Sequence, residues 1–263
     1  MSAATRNAPV GKPRFVVLPD LAAVAAEGAD RFIESARAAI EARGIFRVAL
    51  AGGTTPNAVY PLLRSQPRLG RVDWSQVEFF WGDERAVPPD DPESNFGTAY
   101  RMFISQLPDV RPEAIHRMQG EAPDLDAAAL TYETELRLAF GVRGERPPEF
   151  DLIWLGLGPD GHTASIFAGS SAVRVKDRWV TANWVPSRQM WRLTLTYPVI
   201  DAAREVVFLA TGENKANAIR HIRSGRSPLP AARVRGRRVV WLIDAAAAGS
   251  AAAAGSSAGP ERG

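Results

Sequence analysis

Three polar segments carry residue types that can do chemistry, and each directly follows an apolar run. They are Ala51-Gly52-Gly53-Thr54-Thr55-Pro56, Trp81-Gly82-Asp83-Glu84-Arg85 and Gly156-Leu157-Gly158-Pro159-Asp160-Gly161-His162-Thr163. In the third, His162 is one of only three histidines and lies beside Asp160 in a glycine-bracketed turn. A neutral imidazole, with an ordinary pKa of about 6.5, suits removal of a proton from water near neutrality. A carboxylate at Asp160 can fix its tautomer and stabilise the imidazolium that forms. The competing reading is a histidine that caps a short helix over residues 163–167. His116 and His221 have no comparable setting.

The first segment is a glycine-rich turn that opens a helix. Gly52 and Gly53 let the backbone approach a ligand, and the Thr54 and Thr55 hydroxyls with the free helix N–H groups suit a phosphate. A plain strand–helix turn with a threonine cap is the alternative. The segment is neither a Walker loop nor a dinucleotide fingerprint. The second segment places Asp83, Glu84 and Arg85 at a strand end, before a loop with Asp90, Asp91, Glu93, Ser94 and Asn95. An acid–base role, a phosphate contact through Arg85 and a surface ion pair all remain open there. Arg192, in a strand, and Lys215, at the start of a helix, add positive charge. A lysine at that end of a helix opposes the dipole, which suggests an anion nearby, although a solvated lysine is the commoner arrangement.

Composition removes several classes of answer. The 263 residues are 46% apolar and 23% charged, ordinary values for a globular chain. With no cysteine and three scattered histidines, no disulfide frame, thiol nucleophile or transition-metal site is expected, and no cofactor is implied. The net charge is +3, from 32 basic and 29 acidic residues. No basic run with interleaved aromatics points to nucleic acid, and the Arg233, Arg235, Arg237, Arg238 cluster reads as a solvated turn. Neither a signal peptide nor a membrane span is evident, so a cytoplasmic enzyme is expected, as a monomer or weak homo-oligomer.

The elements that must position these residues alternate. Strands are expected at 14–18, 46–51, 77–81, 151–157, 179–185, 191–196, 206–210 and 239–243. Helices are expected from Asp20 to Gly44, after Pro56, and over 95–107, 124–140 and 213–223. Apolar strands between helices point to an α/β fold: a mainly parallel, Rossmann-like sheet with helices on both faces and a small appended lobe. The expected layout is a flexible N-terminus over 1–12, one domain over 13–246 and a flexible Ala/Gly/Ser-rich tail over 247–263. Ligands of such sheets bind beyond the carboxyl ends of the strands, where all three polar segments fall.

Taken together, the segments ALAGGTTP, FFWGDERAVPPDDPESNFGTAY, LIWLGLGPDGHTASIF, RLTLTYPVI and FLATGENKANAI resemble the 6-phosphogluconolactonase family, in the family's order and over residues 48–219. The resemblance implies a sugar-phosphate isomerase-type fold and hydrolysis of a sugar-phosphate lactone without a cofactor. It implies that His162 is the general base with Asp160 beside it, and that Asp83 holds the acidic position of the Asp-Glu-Arg motif. Gly52, Gly53, Thr54, Arg192 and Lys215 would contact the sugar phosphate, with Arg85 a further cation. Ala51 and Thr54 stand where the family often has serines, and Ile166-Phe167-Ala168-Gly169 replaces Leu-Phe-Pro-Gly. The related glucosamine-6-phosphate deaminases carry a glutamate soon after the histidine. Here Phe167 takes that place and cannot transfer a proton, which favours the lactonase. The rivals are a deaminase or isomerase of an amino-sugar phosphate and a non-catalytic sugar-phosphate sensor.

Overall fold

Six of the expected strands form one parallel sheet in the computed structural model, which describes residues 11–249. They are β1 (Arg14–Leu18), β2 (Phe46–Leu50), β3 (Val77–Trp81), β5 (Leu152–Leu155), β8 (Glu205–Ala210) and β9 (Val239–Asp244), in the order β1-β9-β8-β5-β2-β3. The register sets Leu50 beside Trp81 and Ala210 beside Ile243, so the carboxyl ends finish together along one edge. A second, antiparallel sheet of order β4-β7-β6 joins β4 (Asp83–Arg85), β6 (Val180–Val185) and β7 (Met190–Leu195) and makes the small lobe. Of the ends expected over 1–12 and 247–263, residues 1–10 and 250–263 lie outside the described residues, while Ala247 is fully buried in the core.

Side chains alternate across the main sheet and build two cores. On one face α1 (Leu21–Arg43), α2 (Thr54–Leu63) and α3 (Asn95–Met102) bury Phe32, Phe46, Tyr60, Trp74, Phe79, Phe103 and Trp154. The other face packs Phe80, Phe150, Ile153, Phe208 and Trp241 against α4 (Leu125–Ala139), α5 (Tyr197–Ala202), α6 (Ala216–Arg223) and the small sheet. Each fully buried large apolar side chain contributes roughly 1.5–3 kcal/mol. Helix α1 starts and stops where its caps dictate. The Asp20 carboxylate accepts from the Ala23 N–H at 2.8 Å, and Gly44 closes the helix at φ 73°.

Several boundaries differ from the sequence pattern, each for a local reason. The helix expected over 95–107 ends at Met102. Phe103 leaves helical geometry at φ −143°, its ring locked among Tyr60, Trp74 and Phe79, and a separate 3-10 turn follows over Ile104–Gln106. The strand expected over 151–157 spans only Leu152–Leu155, because the Asp151 carboxylate is committed to the Arg47 N–H and Gly156 opens a loop. The helix expected over 213–223 begins with a 3-10 turn at Glu213–Lys215. No helix follows His162: Thr163 and Ile166 close a tight turn with Ala164 at φ 46°. A capping role for His162 is thereby excluded. The first loop is capped by Gly53 at φ 107°, with no threonine side chain in that role. Among the described residues no helix is long and apolar enough to cross a membrane.

Candidate active site

A cavity of about 580 Å³ opens beyond the carboxyl ends of β2, β5, β8 and β9, roofed by the small sheet. Gly52, Gly53, Thr54, Thr55, Asp83, Arg85, His162, Arg192 and Lys215 all line it, although they are scattered over most of the chain. This volume suits a small-molecule ligand.

The histidine is held by its own turn. The Gly158 N–H donates to the His162 carbonyl at 2.9 Å, and the Gly161 N–H donates to the Gly158 carbonyl at 2.9 Å. Across this ring Nδ1 of His162 lies 2.5 Å from Oδ1 of Asp160. The contact with His162 holds the Asp160 carboxyl well below its ordinary value, at about 2. An ionised carboxylate can only accept, so Nδ1 carries the proton and donates, and Nε2 keeps its lone pair for a reaction. Gly158 is obligatory here, because a Cβ would sit 2.0 Å from Nδ1 of His162 and 2.5 Å from Oδ1 of Asp160. The imidazole is mostly shielded, its side chain 18% exposed, and it stacks on the ring of Phe167 at 3.9 Å between centroids.

The Asp-Glu-Arg segment resolves by strand alternation. Asp83 and Arg85, two apart on β4, line the cavity, while Glu84 points away beneath α3. The Glu84 carboxylate accepts from the backbone N–H groups of Arg85, Asn95 and Phe96 and from the Ser94 hydroxyl, which caps α3. Burial pushes its pKa up against those hydrogen bonds. Asp83 makes no hydrogen bond to the imidazole. Its Oδ2 accepts from the Ser165 hydroxyl at 2.6 Å and its Oδ1 from Nδ2 of Asn95 at 3.2 Å. Ser165 is fixed in turn by Thr194 and Asn183 of the small sheet. Gly52 must lack a side chain, since a Cβ there would lie 1.7 Å from Oδ1 of Asn95. Asp83 thus ties the first loop, the α3 start and the segment after His162 into one frame.

The cations tell a different story, because among the described residues none of them is paired with a carboxylate. Arg85, Arg188, Arg192 and Lys215 all line the cavity, and among the described residues none has a carboxylate oxygen within 4.0 Å. Arg85 and Arg192 sit directly opposite one another in the β4–β7 pairing. Like charges placed so are destabilising without a counterion. Nε of each is buried without a hydrogen-bond partner. Burial pushes the pKa values of Arg192 and Lys215 down; Asp83 and Asp160, respectively, push back, and neighbouring arginines add to the fall. An anion with two charges and several acceptor oxygens, such as a phosphate ester, relieves every one of these strains. The free N–H groups at the start of α2 face the same space.

Similarity to known proteins places this geometry. The sequence profile of the glucosamine-6-phosphate isomerases/6-phosphogluconolactonase family matches residues 19–241. The chain belongs to this family. It is similar to the 6-phosphogluconolactonase of Streptomyces coelicolor, 38% identical over 245 residues, which span 90% of this chain and 94% of that relative. The solved structure of a 6-phosphogluconolactonase from Trypanosoma cruzi superposes with a TM-score of 0.78 at 30% identity, over 90% of this chain and 96% of that one. A monomeric glucosamine-6-phosphate deaminase shares the fold alone, with a TM-score of 0.76 at 22% identity, over 90% of this chain and 99% of that one.

Within this member of the 6-phosphogluconolactonase family, two residues that line the cavity, Arg188 and Asp244, stand outside the three polar segments. Arg188 sits in the β6–β7 turn, whose next residue, Gln189, adopts φ 47°. Asp244 ends β9 and takes the Gly212 N–H on both oxygens, at 3.0 and 3.1 Å, which fixes the loop leading to Lys215. Thr55 and Thr211 share a 2.8 Å hydroxyl contact, so Thr55 joins two loops and Thr54 keeps the free hydroxyl. The only cue to Asp244 in the sequence is a carboxylate at the end of an apolar run.

Proposed function

We propose that this chain hydrolyses 6-phospho-D-glucono-1,5-lactone to 6-phospho-D-gluconate, with His162 as general base. The observation that carries the mechanism is the imidazole with a free Nε2, fixed by Asp160, in the same cavity as four cations that among the described residues have no carboxylate partner. Water gives a proton to Nε2 and its oxygen attacks C1 of the lactone. The tetrahedral oxyanion collapses with departure of the ring oxygen, which takes the proton back from the imidazolium. Asp160 stabilises the imidazolium in between. Lys215, Arg192 and Arg188, with the N–H groups of Thr54 and Thr55, hold the phosphate. That remote binding energy then orients the ester against the imidazole. Asp83 acts through Ser165 and Asn95 by keeping the loops in register.

Phe167 weighs against an amino-sugar deaminase, because a phenyl ring stacked on the imidazole supplies no second acid for ring opening. The test generates the lactone in situ from glucose 6-phosphate and subtracts its spontaneous opening, in parallel with ammonia release from glucosamine 6-phosphate. Hydrolysis well above background without ammonia supports the reading. Ammonia release would replace it with the deaminase, and phosphosugar binding without turnover would replace it with a sensor.

A further inference from the structure

The face of the His162 ring that does not look into the cavity is covered by Phe167. The two rings lie 3.9 Å apart between centroids and within 20° of parallel. Phe167 is 5% exposed and does not line the cavity, so it touches the imidazole and not the ligand. Its position is built with care. The turn closed by Thr163 and Ile166 folds the chain back under the histidine. The Ser170 N–H and hydroxyl both donate to the Phe167 carbonyl, at 3.1 and 2.9 Å. Ser165, between the two rings in sequence, is clamped by Asp83, Thr194 and Asn183.

The mechanism proposed above creates a positive charge on this imidazole at an awkward place. The ring is mostly shielded from water, and the bound phosphate is already matched by Lys215, Arg188 and Arg192, so the imidazolium depends on its own neighbours. Asp160 offsets this from the ring edge through Nδ1. An aromatic face offsets it from below, because the negative face of the ring attracts a cation. We infer that Phe167 is a positioning residue for the lactonase step, which sets the plane of His162 and stabilises the imidazolium through its ring face. This rests on the functional reading above and adds to it a second support for the base, independent of Asp160.

The test separates ring electronics from packing. Phe167→Leu keeps an apolar side chain and removes the π face. Pentafluorophenylalanine incorporated at position 167 keeps the ring's shape and reverses the charge of its face. Both are expected to lower kcat, by about 2- to 30-fold, the range of a ring–cation contact. KM should stay within about 2-fold of the wild type, since the phosphate contacts are untouched. In proton NMR the imidazole CH resonances of His162 should lose their upfield ring-current displacement in the leucine variant only. Unchanged kcat in the fluorinated protein, or a rise in KM with kcat intact, would overturn the inference and leave Phe167 as loop packing. If the leucine variant fails to fold, the fluorinated protein decides alone. A wild type without hydrolysis sinks the functional reading instead, so the two failures are distinct.

Discussion

Gly158→Ala puts the proposed catalytic pair, His162 and Asp160, under strain without removing either member. The added Cβ would lie 2.0 Å from Nδ1 and 2.1 Å from Cε1 of His162, and 2.5 Å from Oδ1 of Asp160. Ordinary contact starts at 3.4 Å, so the imidazole must retreat by about 1.4 Å or the turn must open. The backbone at 158 has no left-handed φ, so alanine is strained only by this collision. A misplacement of about 1 Å in a reacting group costs on the order of 100-fold, and a general base as a whole is worth about 10²–10⁴-fold. The expected fall in kcat is therefore roughly 10²–10³-fold. KM should change little, because the cations and the α2 start are untouched. The assay is lactone hydrolysis with background subtraction, with thermal unfolding to show that the domain remains folded. A folded Gly158→Ala enzyme with kcat within about 3-fold of the wild type would refute the reasoning, since the imidazole would then be free to move without consequence.

Other outcomes follow from the same geometry. Lys215→Met should lower kcat/KM by about 10- to 100-fold, as expected for loss of a hydrogen bond to a charged group, and unchanged kcat/KM would remove it from the phosphate site. Arg188→Ala, at a position that left no mark in the sequence, should weaken binding of 6-phosphogluconate, measured by calorimetry; equal affinity would exclude it. Glu84→Gln leaves buried backbone donors at the α3 start short of an acceptor and should reduce unfolding free energy by about 1–3 kcal/mol, read from urea denaturation. Asp160 has its pKa lowered to about 2 in the folded protein against about 3.9 when unfolded, so its contact adds stability above pH 4 that fades as pH falls toward 2. The difference in Tm between wild type and Asp160→Asn should accordingly shrink as pH falls from about 4 toward 2, and a difference that grows over that interval would contradict this sign.

Long apolar runs made the main sheet legible, because five of its six strands are almost wholly buried and leave no alternation to misread. The carboxyl-end position of the three polar segments was legible for the same reason. What escaped was set by contacts between distant parts of the chain. β4 is three polar residues, Asp83, Glu84 and Arg85, and only pairing with β7 makes it a strand. Phe103 breaks α3 because an aromatic cluster drawn from three other segments claims its ring. Asp83 reads as an acid in the sequence, yet both of its oxygens are taken by Ser165 and Asn95, far from it along the chain. Arg188 joins the cation group only because a hairpin folds over the cavity.

The central claim is that His162 takes the proton from the attacking water. The most direct measurement compares wild type and His162→Ala at saturating lactone generated in situ, with spontaneous opening subtracted and 6-phosphogluconate affinity measured on both proteins. The account predicts a loss of about 10²–10⁴-fold in kcat in a folded variant that binds the product as the wild type does. A variant that keeps its kcat and loses affinity would contradict it and make His162 a ligand contact.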